Sequence, residues 1–94
     1  MLALSAQISV YPLGQTELAP TIDAAIGALR GYPLELDTGP MSTIATGDDE
    51  WLFLALRDAM RAAATQGGAV MVVTISNACP IDGSPASASS AGSP

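Results

Sequence analysis

Three observations predict an α+β fold for this sequence, a four-stranded antiparallel sheet with two helices on one face. Apolar residues alternate near the start of the folded part and fill a Val/Ile/Thr run near its end, two interior segments carry a helical period, and Gly and Pro punctuate the boundaries. Ala6, Ile8 and Val10 alternate with Gln7, Ser9 and Tyr11, as on a half-buried strand, and Pro12 with Gly14 closes it. Leu18, Ile22, Ala25, Ile26 and Leu29 then form one stripe of a helix. Pro20 is tolerable there only in the first turn, and Gly31 suits the position just past the end.

Leu34 and Leu36 alternate with Glu35 and Asp37, and Thr38-Gly39-Pro40 supplies turn chemistry before the β-branched stretch Met41 to Thr46. A hairpin of the second and third strands follows. Gly47-Asp48-Asp49-Glu50 puts a cap and carboxylates where a helix N-terminus favours negative charge. Leu52, Ala55, Leu56, Ala59 and Ala63 make that helix's apolar stripe, and Gly67-Gly68 stops it. Ala69 to Asn77, rich in Val, Ile and Thr, has the composition of a well-buried last strand.

The order βαββαβ, joined by short right-handed connections, is solved most simply as a ferredoxin-like sandwich. One sheet face then stays uncovered. If Ile8, Val10, Met71, Val73 and Ile75 face the helices, alternation turns Gln7, Ser9, Tyr11, Val72, Thr74 and Ser76 outward. With the first strand between the third and fourth, Thr43 is expected to flank this hydroxyl-rich face on one side and Thr74 and Ser76 on the other.

The folded domain spans residues 1–81. From Asp82 to Pro94 the chain is, after the aspartate, Ser, Ala, Gly and Pro with no large apolar residue, so nothing offsets the entropy of ordering it and a disordered tail is expected. Ninety-four residues leave no room for a second core of ordinary size, and one cysteine permits no internal disulfide. A small core of this kind favours association with further copies, as a homodimer or higher homo-oligomer.

Composition excludes much chemistry. Three cationic residues against nine acidic ones give a net charge of −6, the wrong sign for tracking a phosphate backbone, so no nucleic-acid partner is expected. Lysine and histidine are both absent, which removes Schiff-base chemistry and every histidine-activated nucleophile. The longest apolar run, Trp51 to Leu56, falls far short of the roughly 20 residues of a membrane helix. The first residues lack a cationic leader pattern. No membrane insertion and a cytoplasmic location are the expectations.

The remaining polar clusters have plain structural readings. Asp48-Asp49-Glu50 is expected to cap a helix rather than hold a metal, and Arg57 with Arg61 to lie on a solvated helix face rather than clamp a phosphate. Trp51 is placed to seal its helix against the hairpin or a partner. Cys79 has no residue to activate it and is expected to be inert or ligand-lining.

Three segments carry a resemblance. Ser9-Val10-Tyr11-Pro12, the hairpin Gly39-Pro40-Met41-Ser42-Thr43 with Gly47 after it, and the exit Asn77-Ala78-Cys79-Pro80 resemble the thiamin/hydroxymethylpyrimidine-binding YkoF-like proteins and the related single-domain thiamine-binding family, over nearly all of residues 1–80. The resemblance implies a non-enzymatic binder of thiamin or its hydroxymethylpyrimidine moiety. It would have no cofactor of its own, a pocket at or near a homodimer interface, and a role in thiamin uptake, salvage or sensing. The candidate ligand contacts carried over are Ser9, Tyr11, Met41, Ser42, Thr43, Thr74 and Ser76. Hydroxyls suit the edge of an aminopyrimidine, while Tyr11 and Met41 suit its faces. Acidic groups such as Glu35 or Asp37 would meet the thiazolium cation. The alternative is a structural or regulatory dimerisation module whose open face serves only to pair with another subunit.

Overall fold

The computed structural model describes residues 2–40 and 42–78. Along the chain come β1 (Ala3–Pro12), α1 (Ala19–Leu29), β2 (Glu35–Thr38), β3 (Thr43–Asp48), α2 (Asp49–Ala64) and β4 (Ala69–Ser76). The strands pair antiparallel in the order β2-β3-β1-β4, the ferredoxin-like arrangement expected from the sequence. The Ser-rich segment 82–94, with Met41 and Cys79, lies outside the described residues.

Helix α1 has Pro20 in its first turn, where a missing N–H costs nothing. Its buried face differs from the sequence stripe: Thr21, Ala25 and Leu29 are buried, whereas Leu18 is the N-cap residue and half exposed. Thr21 tolerates full burial because its hydroxyl donates to Gln15 Oε1 at 2.8 Å. The helix ends on Arg30 in right-handed backbone, and positive φ occurs, among the described residues, only at Gly14 and Gly67. Gly31 therefore follows the helix without the left-handed turn that its glycine would permit.

Helix α2 starts as its sequence dictates. The Asp48 carboxylate accepts from the Glu50 N–H at 3.3 Å, Asp49 and Glu50 occupy the first turn and Arg61 the last, each charge matched to the helix dipole. Asp49 also ties down the start of β1, since its N–H donates to the Leu2 carbonyl at 2.8 Å and its carboxylate accepts from the Leu2 N–H at 3.4 Å. Coupling to the Asp48 side chain, with hydrogen bonds from the backbone of Leu2 and Glu50, holds the Asp49 carboxyl below the usual carboxylate range.

The core is small in a literal sense. Leu4, Ala6 and Ile8 of β1, Ala25 and Leu29 of α1, Ala45 of β3 and Leu52, Ala55, Ala59 and Ala63 of α2 are its buried hydrophobics among the described residues. Alanine thus supplies most of the positions, and the stripe on α2 after Leu52 is nothing else, so the helices and sheet approach closely with few side-chain atoms between them. Leu56, expected in that stripe, packs against the core but remains partly exposed.

Register settles the faces of the sheet. Ile8 pairs with Thr43 and Val73, and Val10 pairs with Met71, so Ile8, Val10, Thr43, Met71 and Val73 share the helix side, with Ile75 and Leu36. Gln7 pairs with Ile44 and Thr74, and Ser5 with Thr46 and Ser76, and these lie on the open side with Ser9 and Tyr11. Thr43 is thereby corrected: it stands on the helix side and not beside Ser9 on the open face. The third strand begins at Thr43 rather than Met41, and counting back from its pairing with Ile8 fixes the side on which it points.

Candidate functional site

The polar residues singled out in the sequence fall on two opposite surfaces. On the helix side, a cavity of about 210 Å³ opens between α1 and the β2–β3 hairpin. Ile8 and Val10 of β1 and Ile22, Ala25, Ile26 and Leu29 of α1 form its apolar wall. Asp23, Thr38 and Thr43 supply polar groups, with Gly39, Pro40 and Ser42 closing the hairpin end. The volume is below the roughly 300–1,000 Å³ of a drug-sized site, a space for one small ring.

The cavity follows from local sequence. Ala25 is small where a larger residue would fill the gap beneath α1, and Ile22 and Ile26, one turn apart, straddle it, so both are only partly buried. Asp23 is exposed at the mouth. The hairpin turn is fixed by the Gly39 N–H donating to the Ser42 carbonyl at 2.8 Å, which holds Thr38 and Thr43 side by side on the cavity's edge. The arrangement offers an apolar slot for a flat ring, hydroxyls at its rim and one carboxylate at the entrance. No nucleophile paired with a base stands in it, and among the described residues no cluster of His, Cys, Asp or Glu suits a metal ion.

On the open side, several hydroxyls have bonds within the chain. Ser5 Oγ lies 3.0 Å from Thr46 Oγ1, and the Gln7 amide donates to Ser42 Oγ at 3.3 Å. Ser76 Oγ accepts from the Ala78 N–H at 2.9 Å and donates to the Ala78 carbonyl at 3.4 Å, turning the chain as it leaves β4. Tyr11, Val70 and Val72 are exposed among these polar groups.

Of the sequence candidates, Thr43 lines the cavity and Ser42 borders it with its hydroxyl bonded to Gln7 of the open side, while Ser9, Tyr11, Thr74 and Ser76 lie across the sheet from it. Met41 lies outside the described residues. A single ring bound to one surface reaches one set or the other, because the sheet stands between them. Ile22, Asp23, Ile26 and Thr38 line the cavity without having stood out in the sequence: the two isoleucines fit the core stripe, and only the small Ala25 between them signals unfilled space. Arg57 Nε bonds the neighbouring Asp58 carboxylate at 3.1 Å on the outer face of α2. Trp51 is exposed and meets Tyr32, ring centroids 6.0 Å apart and tilted by 48°.

Residues 6–79 match the model of a family described as thiamine-binding protein. No curated protein sequence matches this chain. Among solved structures, a hypothetical protein from Methanocaldococcus jannascii superposes with a TM-score of 0.78 at 21% identity, covering 99% of this chain and 98% of that one. A protein from Streptococcus pneumoniae gives 0.74 at 21% identity, with 98% and 99% covered. A proposed thiamine biosynthesis/salvage protein from Thermotoga maritima gives 0.70 at 21% identity, with 78% and 81% covered. At these identities the structural likeness speaks for the fold.

Proposed function

Because this chain belongs to the thiamine-binding protein family, we propose that it is a non-enzymatic binder of thiamin or its hydroxymethylpyrimidine moiety, with the pyrimidine ring seated in the cavity between α1 and the hairpin. The observation that carries this reading is the cavity itself, an apolar slot rimmed by Thr38 and Thr43 with Asp23 at its mouth, inside the residues the family model matches. The ring's faces meet Ile22, Ile26 and Val10, and its nitrogens and exocyclic amine meet the hydroxyls. The cationic thiazolium of intact thiamin is left towards Asp23 and solvent.

The reading includes a homodimer with the pocket near its interface, and a role in thiamin uptake, salvage or sensing in the cytoplasm. Ile8 and Val10, which line the cavity, pair directly with Val73 and Met71 of β4, so the cavity wall is one strand from the outer margin of the sheet. A pure dimerisation module is the competing reading, favoured by Val70 and Val72, which stand exposed on the open face.

Isothermal titration with thiamin and with hydroxymethylpyrimidine, on protein sized by light scattering, tests this. Saturable heat that is lost in Asp23→Asn and Thr43→Val supports the cavity as the site. Absence of heat with either ligand at millimolar concentration, from folded protein, overturns the ligand assignment. If Ser9→Val and Thr74→Val abolish assembly and alter nothing else, the open face is an interface.

A further inference from the structure

We propose that the groove beside the start of β2 is a docking site for an arginine side chain, carried by a basic segment of another protein. The surface is separate from the ligand cavity and does not rest on the ligand reading. The cavity lies at the turn of the β2–β3 hairpin, beside Thr38 and Thr43, and the groove at the hairpin's opposite end, beside Glu35 and Thr46.

The groove follows from close packing. Gly47 has no side chain, so Leu34 packs directly against it, at a distance where a Cβ would come within 2.6 Å. These two make a low apolar floor. Trp51, near the start of α2, borders that floor and stays 44% exposed, its ring in tilted contact with Tyr32. Glu35 pairs with Thr46 across the hairpin, and alternation along β3 puts Asp48 on the same face as Thr46, so both carboxylates border the groove from one side of the sheet.

The charge of the groove is uncompensated. Among the described residues the one ion pair is Arg57 with Asp58, which leaves Glu35 and Asp48 without an internal cation. Asp49 and Glu50 follow directly along the chain, and together these groups outweigh the roughly half a positive charge of a helix N-terminus. An exposed indole adds to the preference, because its face attracts a cation within about 6 Å of the ring. A guanidinium satisfies both features at once: it is planar, stacks on the ring, and donates from its edge to carboxylates, whereas an ammonium is a point charge with no face to stack.

Charge also says which chain brings it. This chain has a net charge of −6, so a second copy carries like charge towards an acidic groove, while a basic partner is drawn in. Strand β2 is an outer strand of the sheet, and a segment approaching from that margin reaches Glu35 without displacing any other strand.

Anisotropy of a labelled short peptide of alternating Arg and Gly, titrated with the full chain, tests the site. Saturable binding is expected, with a change in the emission of Trp51, the only tryptophan. Glu35→Gln and Trp51→Leu are each expected to weaken it at least about fivefold. Glu17→Gln removes the same charge from the β1–α1 connection at the other end of the sheet and should leave affinity within about twofold. The peptide with Lys in place of Arg should bind at least about threefold more weakly. Should Trp51→Leu fail to fold, Glu35→Gln, a change at an exposed strand residue, decides. Absence of saturation at millimolar concentration, equal losses in Glu17→Gln and Glu35→Gln, or equal affinity for the Lys peptide would overturn the proposal, the last two because attraction would then be diffuse.

Discussion

The buried Thr21 hydroxyl donates to Gln15 Oε1 at 2.8 Å, and the amide of the same Gln15 donates to the Gly68 carbonyl at 3.1 Å. One side chain in the β1–α1 connection thereby links the first turn of α1 to the entry of β4. The Leu13 N–H, also donating to Gly68 at 2.9 Å, supports the same junction. Thr21→Val keeps the shape of the buried side chain and removes the donor, leaving Gln15 Oε1 without its bond. We expect a loss of about 1 kcal/mol, measured by urea denaturation, with the native fold retained.

Gly47 is required by proximity. A Cβ there would lie 2.6 Å from Leu34 Cδ2 and 3.4 Å from the Pro33 carbonyl oxygen, and Leu34 packs against the core. Gly47→Ala is expected to cost roughly 1–3 kcal/mol through overpacking. Because the clash is with a side chain, Leu34→Ala should cost less in the Gly47→Ala background than on its own, which a double-mutant cycle reads directly.

The Tyr32 hydroxyl donates to the Asp58 carboxylate. That bond holds the Asp58 carboxyl below its usual 3.8 and raises the Tyr32 phenol above its usual 10.0. Asp58's contribution to stability is present above 3.8 and is lost as pH falls through its lowered folded value. Tyr32's contribution is present below 10.0 and is lost as pH rises through its raised folded value. Tyr32→Phe should flatten the melting temperature against pH in both windows and leave the neutral plateau lower, as thermal unfolding across the pH range will show.

Thr43 and Thr74 separate the two sides of the sheet. Thr43→Val removes a cavity hydroxyl and is expected to weaken hydroxymethylpyrimidine binding by about tenfold, the worth of one hydrogen bond. Thr74→Val, on the open side, is expected to leave affinity within about twofold. Calorimetry on both variants checks the pair, and the reverse order of effects would move the ligand to the open face.

Periodicity carried the architecture because it is a backbone property. The alternation in Ala6 to Tyr11 matches a strand whose two sides meet different media, and Asp48 caps α2 where its sequence places a cap. The apolar run Ala69 to Ser76, expected to be a well-buried strand, is instead an outer strand with no residue fully buried, because composition states the strand but not its place in the sheet. The site was less legible. Thr43 was assigned to the wrong side, since a face depends on register with another strand, and register is a long-range quantity that no local pattern states. Ile22 and Ile26 resembled core residues for a related reason: the hydrophobicity of a cavity wall and of a packed core are the same, and only the space left by Ala25 distinguishes them.

The alanines of the core have a thermal consequence. Among the described residues, Leu29 and Leu52 are the largest hydrophobic side chains fully withdrawn from solvent, so unfolding exposes little apolar surface per residue, and its heat-capacity increment should fall below the roughly 12–15 cal/mol/K per residue of ordinary domains. A small increment flattens the dependence of folding free energy on temperature. The protein should therefore hold a nearly constant margin of stability over a wide thermal range, and its cold-unfolding limit should lie correspondingly far below the freezing point of water.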